Sequence, residues 1–96
     1  MIEWDDAKDR LNFTKHGLRF EDAEKIFEGP CISFEDRRFD YGEERFITLG
    51  SLEGRVVVVV HVFRGLATRV ISMRKANSRE RQHYKERLTA TRRPGR

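Results

Sequence analysis

Five consecutive valines, Val56 to Val60, constrain this chain more than any other stretch. β-Branched side chains favour extended backbone, and a strand whose every residue is apolar has no side to turn toward water. "RVVVVVHVF", residues 55–63, therefore reads as a central strand covered on both faces. "CISFE" at 31–35, "RFITLG" at 45–50 and "TRVISMR" at 68–74 supply its neighbours. The spacers between them, "DRRFDYGE", "SLEG" and "RGLA", are polar or glycine-bearing, which suits hairpins. "IEW" at residues 2–4 is a short extended start.

Helices must do the covering. "DDAKDRLNFTKH", residues 5–16, carries acidic residues in its first turn, where the helix dipole favours them, sets Ala7 and Leu11 on one face, and stops at Gly17. A second, short amphipathic helix spans about Phe20 to Phe27, with Glu21 and Asp22 at its amino end, and runs into Gly29-Pro30. "SRERQHYKERL" from Ser78 forms a last helix with Arg81, Tyr84 and Leu88 in one stripe. The expected architecture is α+β: two N-terminal helices packed on a mostly antiparallel twisted sheet of about four strands, plus a C-terminal helix. Residues 1–88 are expected to form a single domain, and the basic tail 89–96 reads as disordered.

The net charge of +4 hides a division along the chain. Residues 1–54 hold 8 Lys and Arg against 14 Asp and Glu, a balance of −6, whereas residues 55–96 hold 12 against 2, a balance of +10. Ten of those last 12 cations are arginines, whose planar guanidinium groups bind phosphate in bidentate fashion and stack on bases. Two acids cannot pair twelve bases within that half, so an anionic ligand, nucleic acid first, is preferred over a merely salt-bridged surface. No apolar run approaches the roughly 18 residues that span a bilayer, and the start has neither the basic nor the apolar region of a secretory signal. A cytoplasmic protein without membrane contact is expected. Cys31 is the lone cysteine, so it reads as a small buried residue rather than half of a disulfide or part of a zinc site.

Several residues invite a chemical reading beside a structural one. Lys15 and His16 close the first helix, where cations suit the dipole, so capping alone explains them, yet they also sit before a glycine as a pair. His61 interrupts the valine strand on the face of Val57, Val59 and Phe63, and is either a satisfied buried histidine or a titrating one. Arg64 falls at the strand end, Arg74 and Lys75 end the following strand, and Arg79, Arg81 and Tyr84 open the last helix, whose amino terminus attracts phosphate. Arg64, Arg74, Lys75, Arg81 and Tyr84 thus make an anion-binding rim or a solvated basic face. Arg69 lies on the strand between, in step with Ile71 and Met73. The three histidines are scattered, without metal-ligand spacing, and there is no phosphate-binding glycine loop, so no cofactor is expected. Phosphate chemistry at such a site would be attack by RNA's own 2′-hydroxyl, with the protein supplying base, acid and positive charge.

"KHGLRFEDAEKIF", "EWDDAKDRLNFTKHG", "DYGEERFITLG", "GRVVVVVH" and "RVISMRKANSRERQHY" together resemble the BrnT family of bacterial type II toxins over about residues 2 to 88. The resemblance implies a RelE-like fold, an endoribonuclease that arrests translation, and neutralisation in a hetero-oligomer by a BrnA-like antitoxin. That antitoxin carries a ribbon-helix-helix DNA-binding domain, through which alone the pair would reach operator DNA. Lys15-His16-Gly17, Arg74, Lys75, Glu80, Arg81 and Tyr84 match the family pattern, whereas Arg19 stands where serine is common, Phe63 where many members have glutamate, and Met73 where alanine is usual. The missing serine weakens the start of the second helix, and Phe63 removes a carboxylate from any mechanism there.

On this resemblance, Arg74 and Arg64 would hold the scissile phosphate, His61 would act as base, and Tyr84 would stack on a base or orient the 2′-hydroxyl. Lys15, His16, Arg69, Lys75, Arg79 and Arg81 would contact the RNA. The alternative is a non-catalytic subunit whose basic surface receives the antitoxin in an operon-repressing complex. Direct operator recognition by this chain ranks last, since no helix-turn-helix signal is present.

Overall fold

The computed structural model describes residues 1–92. Five strands form one sheet: β1 (Ile2–Glu3), β2 (Cys31–Asp36), β3 (Arg45–Leu52), β4 (Arg55–Arg64) and β5 (Ala67–Lys75), in the spatial order β1-β5-β4-β3-β2. β2 to β5 are antiparallel hairpin neighbours, and β1 adds a short parallel edge beside β5 through Ile2 opposite Thr68. The fold is α+β and RelE-like, with one strand more than expected because the extended start joins the sheet.

The valine strand β4 occupies the middle of the sheet. Its alternate residues enter two cores, as an all-apolar strand requires. Val57 and Val59 pack with Phe20, Ala23 and Ile26 from the N-terminal helical segments, while Val58 packs with Leu49, Ala76 and Tyr84 on the opposite face. The second face is covered by α3 (Ser78–Arg92). This helix runs past Leu88 into the stretch expected to be a disordered tail, and residues 93–96 of that stretch lie outside the described residues. β4 and β5 slip register between Val60 and His61.

α1 (Asp6–His16) begins at Asp5, whose side chain accepts from the Lys8 amide, and ends at Gly17, as expected. Its inward face differs from the expectation. Leu11 is 71% exposed and Ala7 is exposed, whereas Asp9 and Asn12 are buried. The reason is hydrogen bonding. Asp9 accepts the Phe20 amide at 2.8 Å and pairs with Arg19 at 3.2 Å, and Asn12 donates to the Leu18 carbonyl while accepting the Met73 amide of β5, both at 3.1 Å. β1 reaches only as far along β5 as Arg69, so Asn12 satisfies a strand amide that has no neighbouring strand there.

Arg19 gives no side-chain cap, and the second helix starts as a 3₁₀ turn, Phe20–Asp22, before the six-residue α2 (Ala23–Glu28). α2 lies so close to β3 that a Cβ on Gly50 would come within 2.4 Å of Ile26 Cγ2. Cys31, expected to be buried, is partly exposed at the start of β2. No described helix is long and apolar enough to cross a membrane.

Candidate nucleic-acid interface

A cationic hollow lies at the end of the sheet where β4 begins and β5 finishes. Val57 pairs with Lys75, which places Lys75 beside Arg55 at that end. A cleft of about 620 Å³ opens between this strand end and the first turns of α3, and Arg55, Lys75, Arg81 and Lys85 line it without any acidic residue. On the other side of the Arg55 and Lys75 pair lies a second hollow of about 430 Å³, bounded by the carboxyl end of α1 through His16 and by the β3–β4 turn through Glu53.

The corner from β5 into α3 is held by reciprocal capping. Asn77 Oδ1 accepts the Glu80 amide at 2.8 Å, and Glu80 Oε1 accepts the Asn77 amide at 2.9 Å. The same Glu80 carboxylate receives both terminal nitrogens of Arg74 at 2.8 Å. These bonds from Arg74 hold the Glu80 carboxyl below its usual range, and the Arg74 guanidinium is raised in turn by Glu80. Arg81 wraps the corner by donating to the Ala76 carbonyl at 2.8 Å. Its acceptors among the described residues are the Ala76 carbonyl and the Ser78 hydroxyl, and no carboxylate pairs with it. Among the described residues, no carboxylate lies within ion-pair distance of Arg55, Lys75 or Lys85.

The structure brings only part of the expected rim together. Lys75 and Arg81 line the cleft, and Arg79 stands exposed in the first turn of α3 nearby. His16 lines the second hollow, while Lys15 is exposed at the helix end and outside it. Arg64 pairs with Ala67 at the other end of β4, seven residues from Val57 and so roughly 23 Å from Lys75 along the strand. There it faces Glu43 at 3.7 Å. Arg69 pairs with Glu3 of β1 at 3.0 Å. Arg74 has its guanidinium fork filled by Glu80.

His61 and Tyr84 lie in the interior. His61 is 2% exposed among Phe27, Phe46 and Phe63, its Nε2 is 2.8 Å from Thr48 Oγ1, and its Nδ1 has no partner. Burial pushes its pKa down to about 4, so the ring is neutral at pH 7. Tyr84 is 6% exposed and donates its hydroxyl to the Pro30 carbonyl at 2.8 Å, tying α3 to the start of β2.

Arg55, Glu53 and Lys85 went unnoticed in the sequence. Glu53 and Arg55 sit in and just after the "SLEG" spacer, which reads as a mere hairpin. Ser78, Arg81, Gln82 and Lys85, however, follow helical spacing in a row that shares Arg81 with the Tyr84 stripe, and that polar row is the signal for the cleft wall. Among the described residues no three His, Cys, Asp or Glu side chains converge as metal ligands.

Residues 4–80 match the family model described as ribonuclease toxin, BrnT, of type II toxin-antitoxin system. No curated protein matches the chain.

Proposed function

The chain belongs to the BrnT toxin family of type II toxin-antitoxin systems, and from that premise we propose that it is a metal-independent endoribonuclease whose RNA site is the cleft between β4, β5 and α3. The observation that carries this reading is the convergence of Arg55, Lys75 and Lys85, without paired carboxylates among the described residues, on one hollow. Arg19, Arg38, Arg64, Arg69 and Arg74, by contrast, each have an acidic partner, and Lys8, Arg10, Lys15 and Arg45, which have no ion pair among the described residues, line neither hollow. Concentrating uncompensated charge in a concave site is unfavourable unless a polyanion enters it.

Arg55 and Lys75 hold the scissile phosphate, because they stand where the two hollows meet. Arg81, Lys85 and Arg79 follow the flanking backbone along α3. Lysine and arginine stay protonated at neutral pH, so they stabilise charge on the pentavalent transition state rather than move protons. His16, at the rim of the adjoining hollow, is a group that can move one. Arg74 acts indirectly, by fixing the corner that carries Arg81. His61 and Tyr84 support the sheet and α3 from inside.

The cognate antitoxin is read as a protein with a ribbon-helix-helix DNA-binding domain, whose toxin-binding segment competes with RNA for the same cations. Purified chain incubated with RNA in excess EDTA is expected to leave 2′,3′-cyclic phosphate ends. Loss of cleavage on chelation, restored by magnesium, overturns metal independence. A folded chain that binds antitoxin yet neither cleaves RNA nor arrests growth supports the non-catalytic reading instead.

A further inference from the structure

Glu53 is the one acidic side chain lining either hollow, and its backbone is unusual. It forms the two-residue β3–β4 turn with Gly54, with φ of 50° at Glu53 and 80° at Gly54, and it is the one described non-glycine residue with positive φ. A hairpin of this kind needs left-handed backbone at both central positions, and asparagine or glycine is strongly preferred over glutamate at the first. Glutamate there is conformationally costly, and its negative charge opposes an anionic ligand. Both penalties fall at the mouth of the hollow that also holds His16.

Resting on the ribonuclease reading of this cleft, we infer that Glu53 and His16 are the proton-transfer pair of the reaction, with Glu53 as base and His16 as acid. Elimination leads to this assignment. The charged or titratable groups lining the hollow are Glu53 from the turn, His16 from α1, Arg55 from β4 and Lys75 from β5. Arginine and lysine cannot accept a proton from a hydroxyl at neutral pH, a carboxylate can only accept one, and an imidazolium can donate.

The Glu53 carboxylate takes the proton of the ribose 2′-hydroxyl as O2′ bonds to phosphorus. The bond from phosphorus to O5′ breaks, and the His16 imidazolium delivers its proton to the departing O5′. Arg55 and Lys75 remain protonated on the non-bridging oxygens. The products are a 2′,3′-cyclic phosphate and a 5′-hydroxyl, and exchange with water resets both side chains.

The test is the pH–rate profile for cleavage of a mixed-sequence oligoribonucleotide, free and within a translation mixture, with the all-deoxy oligonucleotide as control. Wild type is expected to give a bell-shaped profile. Glu53→Gln and Glu53→Asn are expected to lose about 100-fold or more in kcat and to lose the acidic limb, and Glu53→Asp is expected to recover part of the rate. Glu53→Asn should melt no lower than wild type, because asparagine suits the turn, so its loss of activity cannot come from misfolding. Cleavage by Glu53→Gln and Glu53→Asn at the wild-type rate, while Lys75→Ala is inactive, overturns the inference and leaves the RNA site standing. A loss confined to KM overturns it as well. Absence of cleavage by wild type under both conditions overturns the ribonuclease reading and this assignment together.

Discussion

Arg74 and Glu80 hold each other through two hydrogen bonds of 2.8 Å across the corner between β5 and α3. Because Glu80 also caps α3 through Asn77, one carboxylate couples a strand end to a helix start. The arginine read from sequence as a phosphate ligand thus has its guanidinium fork occupied by Glu80.

Arg74→Ala is accordingly expected to cost stability as well as activity. The pair is partly exposed, which limits its worth, and a loss of about 1–2 kcal/mol follows from breaking a bidentate charged contact at such a site. Arg74→Lys keeps the charge but not the fork, so it should recover only part. Urea unfolding beside single-turnover cleavage separates the effects. A fully stable Arg74→Ala chain would show that the tie is dispensable.

Lys75→Ala and Arg55→Ala should behave in the opposite way. Neither side chain has a carboxylate partner among the described residues, so stability should stay within about 0.5 kcal/mol of wild type. RNA cleavage should fall on the order of 100-fold. Lys85→Ala should weaken RNA binding evenly across sequences and lower its salt dependence, as loss of a backbone contact does. Titration of labelled RNA at several salt concentrations measures this.

His61 makes stability depend on pH. Its folded pKa of about 4 lies below the ordinary value of 6.5, so between these the unfolded chain binds a proton that the folded chain refuses. The sign is then fixed: this contribution is complete above pH 6.5 and is lost progressively as pH falls toward 4, by up to about 3 kcal/mol. His61→Gln should flatten that window. Glu80 and Asp36, both depressed by arginine partners, add a separate loss at still lower pH as their carboxylates are protonated. Melting temperatures of both chains from pH 3 to 8 check the two limbs.

Gly50→Ala should destabilise by about 1–3 kcal/mol, since the added methyl meets Ile26 Cγ2 at 2.4 Å in a close-packed core. Ile26→Leu removes the branch at that carbon. The double variant should therefore be more stable than the sum of the two changes predicts, which a double-mutant cycle measures.

The architecture was readable where a residue's own chemistry forces its surroundings. Five valines without a polar side demanded a central strand, and β4 is central for that reason. Gly17 ended α1 as its position implied. α1 misled because its buried residues are polar: Asp9 and Asn12 are inside to satisfy amides at Phe20 and Met73, and periodicity of apolar residues cannot register such distant partners. The rim misled for a related reason. Arg64 and Lys75 are close in sequence, but Arg64 stands beside the β4–β5 turn and the nine-residue β5 carries Lys75 to the opposite end of the sheet. Arg55, His16 and Glu53 are far apart along the chain or hidden in a turn, and only the topology makes them neighbours.

The parallel edge formed by Ile2 and Glu3 has a bearing on synthesis. Ile2 and Glu3 pair with Thr68 and Arg69, which are translated long after them, and the two hollows draw their walls from α1, the β3–β4 turn, β5 and α3 together. A nascent or prematurely released chain that stops before Ser78 has neither Arg81 nor Lys85, and its capping corner is absent. Even a fragment that holds all five strands lacks the α3 wall of the cationic cleft, so the order of translation postpones assembly of that site until α3 has been made.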